Sequence, residues 1–345
     1  MKRFWIRELL LLVSLLFILN FMLQSNFAKF NNFRKPKLTS AKGLISYEEA
    51  NEKIFKKFGY EIIEETYPIP KLREIEEKSC EIVNEQWLNI AIQDRNMSEP
   101  PRTIPNSQED LYSLNGYMHM QFSYMNDRKI GANHPVYWND ISHRMKSPPT
   151  DNYSPDGKSV NHAMKAVGVN NQNGLVVGSL SAWVEVYALK NGAAHLLTVE
   201  YTTIIVEEAW KHRIETILPI DFVKKSANFS NSFDFVSTFS SIEHSGLGRF
   251  GDPMDAIGDF REMQKIRCAL KKGGHLFLGI PIGVDGIMFN LHRIYGQLRL
   301  AMMFSGFEWI ATYSGTSEKP VDLTETVTKF KPMEHIQYTL VLKKL

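Results

Sequence analysis

Residues 233–244 read FDFVSTFSSIEH, an apolar run that ends in hydroxyl, carboxylate and imidazole side chains. A run that is apolar on both faces is typical of a buried parallel strand. Four similar runs occupy residues 175–177, 196–199, 217–220 and 276–280. The segments between these runs are long enough to hold crossover helices, so the sequence predicts an α/β domain with a mostly parallel sheet. Such sheets bind small molecules at the carboxyl ends of their strands, and we expect function at that edge.

The first predicted strand runs into a glycine turn, because residues 174–183 read GLVVGSLSAW. A turn at Gly178 and Ser179 lets a ligand approach backbone amides at the start of the following helix. The second strand ends at Glu200, about twenty residues beyond this turn. A carboxylate at that place can accept hydrogen bonds from both hydroxyls of a ribose. The three residues are therefore candidate ligand-binding groups.

Polar residues also follow the third and fourth predicted strands. Asp221 follows the third, where its carboxylate would face the same crevice, and Ser240 follows the fourth. Glu243 and His244 come next, and an imidazole has a pKa suited to proton transfer near neutral pH. We interpret these two as candidate catalytic residues, with hydrogen bonds that cap the loop as the structural alternative. Asn290-Leu-His292-Arg293 is a further polar cluster, for which an ion pair or a contact at a helix start is the alternative.

Taken in order, these segments resemble the Rossmann-like class I S-adenosylmethionine-dependent methyltransferases. The resemblance spans about half the chain, and its most specific parts are FDFV before Ile242-Glu-His244 and LKKGG at residues 270–274. It implies an S-adenosylmethionine site in which Glu200 binds the ribose and Asp221 with Phe222 flanks the adenine. Gly178, Ser179 and Ser240 would complete that site. It also implies an antiparallel last strand, which residues 307–313 and 336–342 fit. The whole chain also resembles an uncharacterised Caenorhabditis family of unknown function.

The glycine turn departs from the pattern of the methyltransferases, which has an acidic residue and three glycines. Val176 stands at the acidic position, and Leu180 and Ala182 replace two of the glycines. We expect the added side chains to crowd the methionine end of the cofactor. The missing acid would remove one of its anchors.

Composition excludes some classes of protein. The net charge is +2, and no block of Lys and Arg with interleaved aromatic residues is present, so we predict no nucleic-acid partner. Cys80 and Cys268 are the two cysteines. They form either one bridge or two buried thiols, and they offer no cluster at metal-ligand spacing, so no metal site is predicted.

The amino terminus contains an uncharged, mostly apolar stretch at residues 9–28. Its length lies between that of a signal-peptide core and that of a full spanning helix. Because residues 26–28 make a poor cleavage site, we predict one hydrophobic helix that anchors the chain in a lipid bilayer, with a removed signal as the alternative. Asn96 and Asn228 begin glycosylation sequons, and Asn152 begins a weaker one. We therefore expect a single-pass endomembrane protein with a lumenal domain, or else a secreted protein.

Three regions follow from these patterns: an anchor and stem at 1–40, a helical and irregular cap at 41–160, and a methyltransferase-like domain at 161–345. In the cap, apolar residues at helical spacing predict a helix over 71–93. Prolines interrupt residues 96–159, where aromatic residues nevertheless indicate an ordered, irregular segment.

Three functions remain open. The first is a membrane-anchored methyltransferase-like enzyme that uses S-adenosylmethionine on an unknown small-molecule, glycan or protein acceptor. The second is a non-catalytic binding protein with a degenerate cofactor turn. The third is an anchored glycosyltransferase, which is less favoured because the chain lacks the Asp-x-Asp metal motif usual in that class.

Overall fold

The computed structural model describes residues 36–94, 99–127, 134–147 and 153–345. The elements before the sheet domain are short, apart from one helix. They are β1 (Leu38–Ser40), β2 (Gly43–Ile45), α1 (Tyr47–Lys53), β3 (Tyr60–Glu64), β4 (Lys71–Glu74), α2 (Cys80–Gln93), α3 (Glu109–Tyr112), β5 (His119–Phe122), β6 (Val136–Trp138) and α4 (Ile141–Lys146).

The rest of the chain contains both strands and helices. They are α5 (Lys158–Val167), β7 (Asn173–Val177), α6 (Trp183–Lys190), β8 (His195–Val199), β9 (Ile204–Val206), β10 (Ile214–Ile217), α7 (Pro219–Lys224), α8 (Ser226–Phe229), β11 (Phe233–Phe239), α9 (Gly258–Ala269), β12 (Leu270–Gly283), β13 (Gly286–Phe289), β14 (His292–Ile294), α10 (Gln297–Met303), β15 (Phe307–Tyr313), α11 (Thr324–Lys329) and β16 (His335–Lys344).

A seven-stranded sheet has the order β10-β8-β7-β11-β12-β16-β15. The strands from β10 to β12 pair in parallel. β16 pairs antiparallel with both β12 and β15. From β7 the chain moves outward through β8 and β10, and then in the opposite direction through β11 and β12. The predicted parallel sheet and antiparallel last strand are confirmed, and the reversal between β7 and β11 opens a crevice at the carboxyl ends of these strands.

Apolar cores lie on both faces of this sheet. Leu175 and Val236 belong to one core, whereas their chain neighbours Val176 and Phe235 belong to the other. This alternation follows from the two-residue period of a strand. Residues of α5 and α6 complete one core, and residues of α2 and α9 complete the other. Because both faces are covered, the strands read as continuous apolar runs in the sequence.

The third strand lies earlier in the chain than predicted. We expected it at 217–220, but β10 ends at Ile217 and Pro219 is the first residue of α7. Proline has no N–H to donate to a strand ladder, and its fixed φ suits the first position of a helix. The apolar residues beyond Pro219 therefore belong to a helix, and periodicity alone did not distinguish the two.

The predicted helix over 71–93 was wrong in its first part. Lys71–Glu74 form β4, which pairs antiparallel with β3. The helix begins at Cys80, where the Ser79 hydroxyl accepts a hydrogen bond from the N–H of Ile82 at 3.3 Å. Such a side-chain cap fixes the start of a helix.

The described part of the proline-interrupted segment is joined to the later domain by strand pairing. β5 pairs in parallel with β13, and β6 pairs in parallel with β9. Leu38–Leu345 form one compact unit. Local patterns could not indicate this pairing because each strand is only three or four residues long.

Cys80 and Cys268 form a disulfide, with their Cα atoms 5.7 Å apart. The alternative of two buried thiols is therefore wrong, and Cys80 is in fact exposed. The bond joins the first turn of α2 to the last turn of α9 across 188 positions of sequence.

The predicted anchor at 9–28 lies outside the described residues, as do Asn96 and Asn152. Within the described ranges, none of the helices has the length and apolar character needed to cross a bilayer. Asn228 lies in α8 and is exposed.

Candidate functional site at the carboxyl edge of the sheet

A cleft of about 560 Å³ lies where the strand order reverses. Its walls come from the turn after β7, the ends of β8 and β11, Pro281 of β12 and the first residues of β16. Six of the eight predicted site residues line it: Gly178, Ser179, Glu200, Ser240, Glu243 and His244. Strand direction brings these residues together from distant parts of the sequence.

Asp221 and Phe222 are not among the described residues that line the cleft. Because a helix begins at Pro219, Phe222 turns into the core and stacks on Phe229 with ring centroids 4.9 Å apart. Pro219 occupies the cleft wall at this strand end instead.

Gly178 is the tightest point of the turn after β7. Its φ is +74°, and a Cβ atom there would stand 1.9 Å from the Ser241 hydroxyl oxygen. Glycine is therefore required both by its backbone conformation and by the close approach of the loop after β11. Of the two residues expected to crowd a ligand, Leu180 lines the cleft and is 42% exposed, whereas Ala182 is buried in the core. Val176, at the position of the missing acid, is also buried.

Glu200 connects the first two loops of the cleft. One carboxylate oxygen accepts the N–H of Ser179 at 2.7 Å, and the other accepts the N–H of Tyr201 at 2.7 Å. Burial raises the pKa of Glu200, and the backbone N–H donors counteract part of that shift. Each oxygen has two lone pairs, so the carboxylate can still accept hydrogen bonds from a ligand.

Glu243 and His244 lie just beyond β11, after Ser240, whose φ of +51° is unfavourable for a residue with a side chain. Burial raises the pKa of Glu243 to about 7. Burial lowers the pKa of His244 to about 3, so its ring is neutral near pH 7. His244 Nδ1 lies 2.6 Å from the carbonyl oxygen of Leu291 and must donate to it. Nε2 then carries the lone pair, 3.9 Å from the Glu243 carboxylate.

The comparison with family models matches residues 171–345, half of the chain, to the family described as "Caenorhabditis protein of unknown function, DUF268". The chain belongs to this family. No curated protein matches the DUF268 chain.

Solved structures that are similar to the DUF268 chain have low sequence identity to it. The 4+2 cyclase SpnF is 13% identical over 62% of this chain and 87% of its own, with a TM-score of 0.35. The 1,6-didemethyltoxoflavin-N1-methyltransferase of Burkholderia thailandensis, solved with S-adenosylhomocysteine, is 13% identical over 54% and 79%, with a TM-score of 0.36. An S-adenosylmethionine-dependent methyltransferase of Mesorhizobium loti is 16% identical over 53% and 96%, with a TM-score of 0.30.

Glu185 is a buried acid of the DUF268 chain that sequence reasoning missed. Its carboxyl oxygens lie 2.8 Å from the Thr198 hydroxyl and 3.0 Å from the Ser179 hydroxyl, directly beneath the glycine turn. Burial raises the pKa of Glu185 to about 7. The Ser179 hydroxyl also lies 3.0 Å from the carbonyl oxygen of Ser181, and one proton cannot serve both acceptors. A protonated Glu185 resolves this, because it donates to Ser179 while Ser179 donates to Ser181.

We expect Glu185→Gln to stabilise the protein at pH 8 but not at pH 5. The pKa of this carboxyl rises from 4.5 to about 7 on folding, so its contribution to the free energy of unfolding is lost as the pH rises through that window. Glutamine keeps both hydrogen bonds without a charge, so its advantage at pH 8 should reach about 1–3 kcal/mol. Urea unfolding of the full chain in detergent at both pH values measures the difference in free energy of unfolding between the variant and the wild type. Glu208→Gln, at an exposed position, is the matched control, and equal effects of Glu185→Gln at both pH values would contradict the assignment.

Lys265 is a second missed residue, and it reaches the cleft from α9. Its ammonium lies 2.6 Å from the Glu262 carboxylate and 4.1 Å from the centre of the Trp87 ring. Burial lowers the pKa of Lys265. Glu262 and Tyr201 also line the cleft. A single lysine within a helix gave no sequence signal of this position.

Proposed function

We propose that the chain is a membrane-anchored, S-adenosylmethionine-dependent methyltransferase-like protein whose cofactor binds in the cleft between β7 and β11. The position of Glu200 carries this proposal. It stands at the end of the second parallel strand, fixed by the N–H groups of Ser179 and Tyr201, with lone pairs left for two ribose hydroxyls.

The residues present fit this cofactor in part. The glycine turn at Gly178 admits a close approach to the backbone, and the cleft volume lies in the range of ligand sites, about 300–1,000 Å³. Leu180 narrows the cleft at the turn, while Val176 and Ala182 are buried and add no bulk there. When bound, S-adenosylmethionine supplies an electrophilic methyl group on a sulfonium.

Methyl transfer requires mainly in-line positioning, and a base only when the acceptor must lose a proton. We propose Glu243 as that base, because its pKa of about 7 suits proton transfer at neutral pH. The pKa of His244, about 3, makes it a weak base. His244 instead would orient the acceptor through Nε2, since Nδ1 is held by Leu291.

Glu200→Ala is expected to weaken S-adenosylmethionine binding at least about tenfold. Each charge-assisted hydrogen bond to the ribose contributes about 1.5–3 kcal/mol, and about 1.4 kcal/mol already gives a factor of ten. Calorimetry with the full chain in detergent measures this change. A thermal unfolding curve of the variant checks that it remains folded.

Asp221→Ala provides the comparison, and its effect should be smaller because the residue lies outside the described cleft lining. If the wild-type chain gives no heat and no thermal shift at millimolar cofactor, the enzymatic proposal is wrong. The non-catalytic binding protein then takes its place, and the protrusion of Leu180 is the observation that favours it. Leu180→Gly should improve binding if crowding is the obstacle.

We also propose that residues 9–28 hold the protein in an endomembrane, with the described domain in the lumen. The disulfide supports an oxidising compartment, and the exposed Asn228 is accessible to glycosylation. A secreted protein is the alternative if the apolar segment is removed. The acceptor would be a small molecule, a glycan or a protein in that compartment.

The protein should remain in the membrane fraction after a carbonate wash, because an apolar helix resists extraction by salt and alkali. Endoglycosidase treatment should increase its mobility on a gel, and Asn228→Gln should remove part of that shift. Release of the protein by carbonate contradicts the anchor. A mobility that endoglycosidase leaves unchanged contradicts the lumenal orientation.

A further inference from the structure

The loop after β11, together with β14 and β16, brings an arginine and several imidazole side chains to the cleft. His244, Arg249, Phe250, His292 and His335 all line it. The Arg249 guanidinium carbon lies 4.6 Å from the centre of the Phe250 ring, which in turn lies 5.0 Å from the His244 ring. The His292 ring is 6.5 Å from that of His244 and 5.3 Å from that of His335. These five side chains, here termed the histidine wall, form a continuous surface.

Arg249 is held in place by a loop that is built around Asp252. The Asp252 carboxylate accepts the N–H groups of Leu247, Gly248 and Phe250 at 2.8–3.1 Å. The carbonyl of Arg249 accepts the N–H of Asp127, and its Nε–H donates to the Asp127 carboxylate at 2.7 Å. A guanidinium has five N–H donors, so this bond leaves donors for a ligand. The residue is therefore preorganised to bind an additional acceptor atom.

One buried polar atom of the histidine wall, Nε2 of His292, has no hydrogen-bond partner among the described residues. Burial normally demands a partner for such an atom, which indicates that a bound molecule supplies it. His292 can donate a hydrogen bond to that molecule as its Nε2–H tautomer.

The charges of the histidine wall favour an anion. The pKa of His292 is lowered to about 4, first by burial and then by the electrostatic effect of His335 and Arg249, so a positive charge on the His292 ring is disfavoured at this place. Asp127 is the carboxylate that pairs with Arg249, and Glu243 is the carboxyl near His244. A ligand with oxygen acceptors and negative charge would satisfy Arg249 and His292 together.

We propose that the second ligand of this cleft carries an anionic oxygen group, a carboxylate or a phosphate, and that Arg249 and His292 bind it. This inference rests on the proposed methyltransferase function, in which that ligand is the methyl acceptor. The methyl acceptor would therefore be a molecule with a carboxylate or phosphate group, which the fold alone does not indicate.

Inorganic phosphate and acetate are the probes, titrated separately by calorimetry into the full chain in detergent at pH 7. Arg249→Gln should weaken binding of the preferred anion at least about tenfold, the factor that corresponds to about 1.4 kcal/mol. Asp127→Asn should strengthen binding, because it removes the carboxylate that competes for Arg249. Arg73→Gln is the matched control, since Arg73 is 66% exposed and paired with Glu61 away from the cleft.

The two Arg249 and Asp127 variants change affinity in opposite directions, so a folding defect cannot imitate the full result. A preference for phosphate over acetate, or the reverse, identifies which oxygen group the acceptor carries. The proposal is overturned if neither anion binds the wild type, or if Arg249→Gln binds as well as Arg73→Gln. Glu200→Ala should keep its affinity for the anion while losing S-adenosylmethionine, which separates failure of this inference from failure of the proposed function.

Discussion

Asp259→Asn is expected to lower the free energy of unfolding by about 3–5 kcal/mol, the usual cost of removing one partner of a buried ion pair. Asp259 and Arg299 are both fully buried. The carboxylate accepts Nε–H and an Nη–H of Arg299, each at 2.6 Å, in a bidentate pair. Asparagine has nearly the same shape, so the loss comes from an uncompensated guanidinium rather than from a cavity.

The effect should extend to the cleft, because the same network holds the loop that carries Arg249. Arg293, also fully buried, lies 3.9 Å from the Asp259 carboxylate and donates to the carbonyl oxygens of Ser245, Asp255 and Ala256. Arg299 donates to the carbonyl oxygen of Ala256 as well. We therefore expect the Asp259 variant to loosen residues 245–256 and to weaken binding at the histidine wall.

Urea unfolding of the full chain in detergent measures the change in stability. Asp140→Asn is the control, because Asp140 pairs with Arg144 at the surface and should contribute no more than about 0.5 kcal/mol. An equal effect of the two substitutions would show that the buried pair adds no more than a surface pair.

The pH dependence gives a second measurement of the same pair. Burial alone would raise the pKa of Asp259, but Arg293 and Arg299 together lower it below its usual value of 3.8. Stability from this carboxylate is therefore fully present above pH 3.8 and is lost as the pH falls through the lower folded value. The wild type and Asp259→Asn should differ most near neutral pH and converge in acid.

Local patterns predicted the sheet well because its strands are buried on both faces. The runs at 233–239 and 307–313 match β11 and β15 in their bounds. The failures came from tertiary contacts that override local preference. Lys71–Glu74 form a strand because they pair with β3. The apolar run at 217–220 ends its strand early because a helix begins at Pro219.

The candidate site was predictable where it depends on strand direction. Glu200, Ser240, Glu243 and His244 stand at strand ends and meet in one cleft. Glu185 and Lys265 lie within helices, and Arg249 lies in a loop shaped by Asp252. Their roles depend on packing between distant segments, which a single sequence does not reveal. An acidic residue flanked by apolar residues in the helix WVEVYALK is the signal that could have indicated Glu185.

Reduction of the Cys80–Cys268 disulfide is expected to lower the free energy of unfolding by about 2–5 kcal/mol. The bond closes a loop of 188 positions. In the chain-entropy model, the entropy that the unfolded chain loses through this closure destabilises the unfolded state by about 5 kcal/mol. Cys80 is exposed, so dithiothreitol can reach it. The midpoint of urea unfolding, measured with and without dithiothreitol, gives the change.

The double variant Cys80→Ser, Cys268→Ser is the control, and dithiothreitol should not change its stability further. If the wild type has the same midpoint with and without the reductant, the bond does not contribute to stability. Because α2 also holds Trp87 beneath Lys265 and Gln86 against Arg261, loss of the bond should loosen the α9 wall of the cleft.

Thiol labelling of protein taken directly from cells then tests the compartment. Two unreactive cysteines agree with an oxidising lumen, whereas two reactive thiols would assign the domain to a reducing compartment.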